Sequence, residues 1–139
     1  MILDTSGLLA ALDGSDPMHR PCSAVIRAAR SPHLLSPFVL AELDFLLGKS
    51  VSSGARRAFL GEVANGAYRL ENFDAADVAQ ALVVLDRYRD LDMGLADASL
   101  VVIAARHGMH DLLTLDERHF RAVLGPGDRP FRLLPADAA

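Results

Sequence analysis

Four carboxylates stand where one divalent cation could be held: Asp4, Glu42, Asp97 and Asp116. Asp4 follows the apolar pair Ile2-Leu3, and Asp116 follows Leu112-Leu113-Thr114-Leu115, so both close apolar strands. Asp97 opens an apolar helical run, and Glu42 lies early in another. In a parallel α/β sheet all four positions fall at the carboxyl edge of the strands, where such folds bind their ligands. Acids gathered there repel one another, and desolvation raises the cost of their charge. A hard cation removes the conflict: Mg²⁺ binds through one or two carboxylates, keeps waters and leaves room for phosphate oxygens. With one or two ions, such a site activates water and stabilises the attacking and leaving oxygens of phosphodiester hydrolysis. Each acid has a plainer reading. Asp97 and Asp116 suit helix caps, and Glu42 a solvated helix face; only the set of four favours chemistry. Asp74, Asp77 and Asp92 are assigned to caps and turns.

The elements that must position these acids follow from patterning. Ile2-Leu3 reads as a buried strand and 6–12 as a short helix, punctuated by Gly14-Ser15-Asp16-Pro17. Asp16-Pro17 is expected to start a helix through Cys22, Val25, Ile26 and Ala29, stopped by Ser31-Pro32. A second strand is placed at 33–36. Pro37 opens a helix with Leu40, Leu43 and Leu47 on one face, and another helix follows Ser53-Gly54. Residues 68–73 alternate as a strand, and Asp74 caps a helix ending near Arg89. After the turn Asp92-Met93-Gly94, residues 95–105 form a helix apolar nearly all round, ended by Gly108. Residues 111–116 repeat the opening pattern of apolar strand then carboxylate, and 131–134 make a last edge strand. This alternation predicts a parallel sheet with helices on both faces.

Length and composition bound the reading. With 139 residues the chain is expected to be one domain, and 51% hydrophobic with 23% charged residues is a globular balance. A net charge of −4 gives no whole-molecule attraction to nucleic acid, so metal ions and local arginines would have to supply it. Thirteen of the fourteen basic residues are Arg, which suits bidentate phosphate contacts, although a biased genome gives the same ratio. The single Cys22 excludes an internal disulfide and agrees with a reducing cytosol. No signal-peptide pattern or bilayer-length apolar run is read, so a soluble cytoplasmic protein is expected, with no membrane contact.

The motifs Ile2-Leu3-Asp4-Thr5-Ser6, Ala41-Glu42-Leu43, Leu95-Ala96-Asp97-Ala98 and Leu113-Thr114-Leu115-Asp116, with Phe120 after it, together resemble a PIN-domain ribonuclease of the VapC toxin type. Each motif is short, but they stand in the family's order and spacing over nearly the whole chain. The resemblance implies a three-layer α/β/α sandwich across 1–139, with a central, mainly parallel sheet of four to five strands and the first strand in its middle. It implies Mg²⁺- or Mn²⁺-dependent endonucleolytic cleavage of RNA by water, with Asp4, Glu42, Asp97 and Asp116 as the catalytic acids. Asp4, Asp97 and Asp116 would be the metal ligands, and Ser6 and Thr114 the polar residues that orient the acids. A homodimer and a cognate VapB-type antitoxin, reaching a basic residue among the acids, are implied as partners.

Arg118 and His119 follow Asp116 closely and are candidate contacts to a substrate phosphate; Arg20 is a more distant one. His19, His107 and His110 form no recognised metal spacing and are read as helix-end and surface residues. Other readings stay open. A receiver-like or phosphatase-like Mg²⁺-dependent domain also clusters Asp at strand ends. The receiver pattern wants a late strand-end Lys, whereas the lone Lys is Lys49, and the phosphatase pattern wants an acid where Ser6 stands. A non-catalytic α/β binding module would use the acids for solubility alone. Nucleases acting on DNA flaps carry insertions that this chain lacks.

Overall fold

The computed structural model describes residues 1–30 and 32–138. In chain order the elements are β1 (Ile2–Leu3), α1 (Thr5–Leu12), α2 (His19–Ala28), β2 (Leu34–Leu35), α3 (Pro37–Ser50), α4 (Ser53–Ala64), β3 (Arg69–Leu70), α5 (Ala75–Arg87), α6 (Leu95–His107), β4 (Asp111–Leu113), α7 (Glu117–Phe120) and β5 (Arg132–Leu134). The five strands form one sheet in the order β3-β2-β1-β4-β5. Every neighbouring pair is parallel, so the sheet is wholly and not just mainly parallel. Parallel neighbours need crossovers, which the helices provide.

The register explains why the strands are apolar throughout. Ile2 faces both Leu34 and Leu112, and Leu3 faces Leu113. All five are essentially sealed from solvent, as expected for strands covered on both faces. The chain moves from β1 outward through β2 to β3, then crosses back to place β4 on β1's other side. The order therefore reverses beside β1, and the crevice past the ends of β1 and β4 is the topological switch point. Asp4 and Thr114 are the residues that follow those two strands.

Local chemistry sets the helix ends. Ser36 caps α3, its hydroxyl accepting from Phe38 N at 3.2 Å with Pro37 in the first turn. Ser52 caps α4, and Asp74 and Asp77 form a reciprocal cap on α5. Gly108, at φ 61°, ends α6 in the left-handed conformation. Gly7 has a different reason: a Cβ there would lie 2.7 Å from Leu113 Cγ and 2.9 Å from the Leu113 carbonyl. Only glycine lets α1 press against the end of β4.

Several boundaries differ from the sequence expectations. The second helix starts at His19, because Asp16 Oδ1 accepts from Met18 N at 2.7 Å and holds 16–18 in a turn. The stop read at Ser31 lies outside the described residues. The strand expected over 68–73 contracts to Arg69–Leu70, since Glu71 turns inward to Arg69, Arg106 and His107 and Phe73 packs edge-on against Phe38. Phe131 precedes β5, and Ser36 leaves β2 to serve as a cap. Helix α6 buries Ala98, Ser99, Leu100, Val102, Ile103 and Ala104 but exposes Leu95 and Ala105, so it is buried on a wide face and not all round. No helix among the described residues is long and apolar enough to cross a membrane.

Candidate active site

Asp4 sits at the crevice with only 6% of its surface exposed. Its Oδ2 accepts the Thr114 hydroxyl at 2.7 Å and the Ser6 hydroxyl at 2.9 Å. Each hydroxyl in turn accepts a backbone N–H: Ser6 Oγ from Leu115 at 2.9 Å, and Thr114 Oγ1 from Asp116 at 2.9 Å. A hydroxyl has one proton, so with both given to Asp4 the 3.3 Å approach of Ser6 to Thr114 is contact and not a donated bond. The start of α1 and the loop after β4 are thereby laced together through a single carboxylate oxygen. Gly7 permits this, since it allows the close approach that brings Ser6 to Leu115.

Burial pushes the Asp4 carboxyl up to about 6. The Thr114 and Ser6 hydroxyls pull the other way, and the nearby Asp97 adds to the rise. Asp97, in the first turn of α6, is also held above the ordinary carboxylate range, first by burial. His119 and the Gly94 backbone offset this, while Asp116 and Glu42 reinforce it by repulsion. Asp97 is therefore the residue whose field meets Asp4, Asp116 and Glu42 alike.

Asp116 caps α7, its Oδ1 accepting from His119 N at 3.2 Å. The cap and site readings of this residue are compatible, because its other oxygen turns toward His119. His119 Nδ1 lies 3.0 Å from Asp116 Oδ2 and 3.6 Å from Asp97 Oδ2. That nitrogen is buried and not aligned for a hydrogen bond to either, so its pull on the acids is electrostatic. Glu42 is exposed on α3 and forms no hydrogen bond or ion pair through its side chain among the described residues.

Helix α6 owes its place to a contact that sequence reasoning missed. Ser36 and Ser99, both fully buried, meet through their hydroxyls at 2.7 Å. Ser99 donates its proton to Ala96 O at 2.6 Å, so Ser36 is the donor between them. This joins the cap of α3 to α6 two residues past Asp97. A polar residue inside the apolar run 95–105 was the available signal. Glu71, also missed, is buried among Arg69, Arg106 and His107, and ties β3 to the end of α6. Its position in an alternating stretch had marked it as outward-facing.

The remaining candidates separate. Arg118 and Arg20 are exposed, and Arg118 forms no ion pair among the described residues. His119 turns inward between two acids instead of outward. His19 sits against the Ala10 carbonyl at 3.0 Å, His110 against that of Pro126 at 2.8 Å and His107 against Glu71, all apart from the acids.

Among the described residues, no three His, Cys, Asp or Glu side chains converge into a cage able to hold a metal by themselves. Asp4, Asp97 and Asp116, the three ligands expected from the sequence, therefore do not close on one point, and a hard cation held by them would have to complete its shell with water. Asp4 and Asp97, both raised first by burial and then by neighbouring acids, are carboxyls that such an ion would relieve.

The PIN domain family model matches residues 1–124. The chain belongs to the PIN-domain family. Among PIN-domain relatives it is 42% identical to ribonuclease VapC26 of Mycobacterium tuberculosis (strain ATCC 25618 / H37Rv) over 135 residues, 97% of this chain and all of the relative. The fold matches VapC20 of Mycobacterium tuberculosis, described as a sarcin-ricin loop cleaving toxin, with TM-score 0.77 and 22% identity, over 83% of this chain and 88% of that one. It also matches VapBC2 from Rickettsia felis bound to a promoter DNA fragment, with TM-score 0.65 and 16% identity, over 95% and 96%. The PIN-type α/β/α architecture, with β1 central, is the one implied by the sequence motifs.

Proposed function

We propose that this PIN-domain protein is a divalent-metal-dependent endoribonuclease, the toxin of a VapBC-type toxin–antitoxin pair. The observation that carries the reading is the linkage of three acids at the switch point of the sheet: Thr114 Oγ1 joins the Asp4 carboxylate to the Asp116 backbone, and His119 Nδ1 lies 3.0 Å from Asp116 and 3.6 Å from Asp97. Its 42% identity to a ribonuclease VapC over 97% of the chain supports the same reading.

The residues divide the work. Asp4, Asp97 and Asp116 hold the ion, one or two of Mg²⁺ or Mn²⁺. When bound, the ion supplies an activated water and offsets charge on the phosphate oxygens. Ser6 and Thr114 fix Asp4 by directing both their protons at Oδ2. The Ser36–Ser99 bond keeps α6, and with it Asp97, against α3. Glu42 adds negative charge from the rim. Arg118, exposed beside Asp116, is placed to meet an incoming RNA phosphate, while His119 steadies Asp97 and Asp116.

A VapB-type antitoxin and a second copy of the chain are the proposed protein partners, and the cytoplasm the proposed location. Solved relatives of the same fold include toxin–antitoxin complexes from Klebsiella pneumoniae and Rickettsia felis. The test is incubation of purified protein with a mixed tRNA and rRNA pool, with and without Mn²⁺. Cutting that requires the metal supports the nuclease. Metal-independent cutting, or none by a protein that also fails to bind Mn²⁺, overturns it.

A further inference from the structure

We infer that the cavity beside Thr114 is a nucleobase subsite that sets which bond is cut; this rests on the endoribonuclease reading above. The cavity, about 430 Å³, is walled by Met18, Pro21, Leu115, Pro135 and Ala136, with Thr114 at its inner end and Glu117 at its mouth. Its size lies in the lower part of the range of small-molecule sites, and its lining is largely apolar with few polar groups, which is the usual composition.

Three features favour a base over other occupants. First, the cavity shares Thr114 with the acid cluster, and Thr114 Oγ1 is 2.7 Å from Asp4 Oδ2. An occupant of the cavity is thus in fixed register with the reacting phosphate. Second, Glu117 Oε1 accepts two hydrogen bonds from Arg121, at 3.2 Å and 2.6 Å, and Oε2 has no partner among the described residues. A carboxylate at the mouth repels a phosphate but accepts from the amino group of a base, as Glu does with cytosine N4. Third, flat walls of proline and methionine beside short Leu and Ala side chains take a π-face without needing a hydrogen bond. A helix of a protein partner would instead need anchors along an extended groove, at i, i+4 and i+7.

The test uses a defined single-stranded RNA containing a bond that the wild type cuts, with an abasic unit placed at each flanking nucleotide in turn. Loss of one base should lower wild-type kcat/KM about tenfold, the scale of removing roughly 55 Å² of apolar contact. Ala136→Trp, an exposed position away from the acids, fills the cavity. It should lose about as much on intact RNA and nothing further on the abasic RNA, with Mn²⁺ binding and urea stability unchanged. Glu117→Gln should flatten the preference among bases at that same nucleotide. Equal cutting of intact and abasic RNAs by the wild type overturns the subsite while leaving the nuclease standing. So does an Ala136→Trp protein that cuts normally, and if it also fails to bind an antitoxin peptide the cavity belongs to a protein partner. A wild type that cuts no RNA removes the nuclease reading and the subsite together.

Discussion

Thr114 gives its one hydroxyl proton to Asp4, across 110 residues of sequence, at 2.7 Å. The same oxygen accepts the backbone N–H of Asp116, so one buried side chain sets the position of two acids. A hydrogen bond to a charged group contributes about 1.5–3 kcal/mol. Thr114→Val keeps the shape and deletes the bond, so urea denaturation should show a loss of about 2 kcal/mol. RNA cleavage should fall by tenfold or more, and Thr114→Ser should restore most of it. Full activity in the valine variant would remove the positioning role.

The raised Asp4 carboxyl makes the metal-free protein sensitive to pH. Its ordinary value is 3.8 and its folded value about 6. Between these limits the unfolded chain has already released its proton while the folded state keeps it. Stability from this group is therefore full below about pH 4 and is lost as pH rises through 6. The shift of about two units corresponds to roughly 3 kcal/mol, as an upper scale for a buried group. Asp4→Asn should melt several degrees higher than wild type at pH 7.5 in chelator, with the gap closing near pH 4. Mn²⁺ should raise the melting temperature of the wild type and leave that of the variant unmoved. An unchanged or lower melting temperature for Asp4→Asn in chelator would contradict the burial argument.

Gly7 supports the site through what it lacks. An alanine there would place its Cβ 2.9 Å from the Leu113 carbonyl, and backbone cannot step aside as a flexible side chain would. Gly7→Ala should cost about 1–3 kcal/mol in urea denaturation, the range for overpacking, despite alanine's better helix propensity. A more stable alanine variant would show that α1 can retreat from β4.

Ser99 holds α6 in a comparable way. Ser99→Ala leaves the buried Ser36 hydroxyl without its acceptor, a penalty of about 1–3 kcal/mol. Because Asp97 lies two residues earlier on the same helix, cleavage should drop along with stability, and Ser36→Ala should add on top only the loss of the α3 cap, about 1 kcal/mol. Additive losses in the double variant would mean that the two hydroxyls act separately.

The neighbourhood of Asp4, Asp97 and Asp116 was legible because each follows a strand or opens a helix, and strand direction brings such positions to one edge, whereas Glu42 lies further along α3 and is exposed. The apolar pairs Ile2-Leu3 and Leu112-Leu113 announced a two-sided burial that the register confirms. What could not be read were features made by distant partners. Ser36 reads as the last residue of a strand, and nothing local reveals that its proton goes to Ser99. Glu71 looked like the polar half of a strand until Arg69, Arg106 and His107 closed around it. His119 looked like a residue facing substrate, yet the short turn of α7 folds its ring back toward Asp97 and Asp116. The start of α2 failed for a local reason: an Asx turn at Asp16 competed with the helix cap that the same residue types favour.

The central claim is that Asp97 joins the acids into one cation-dependent nuclease site. Wild type and Asp97→Asn, purified identically, should be run on the same RNA pool with and without Mn²⁺. The account predicts metal-dependent cutting by the wild type and a loss of a hundredfold or more in the variant, whose circular dichroism and melting curve remain those of a folded protein. Equal metal-dependent cutting by both proteins would contradict it.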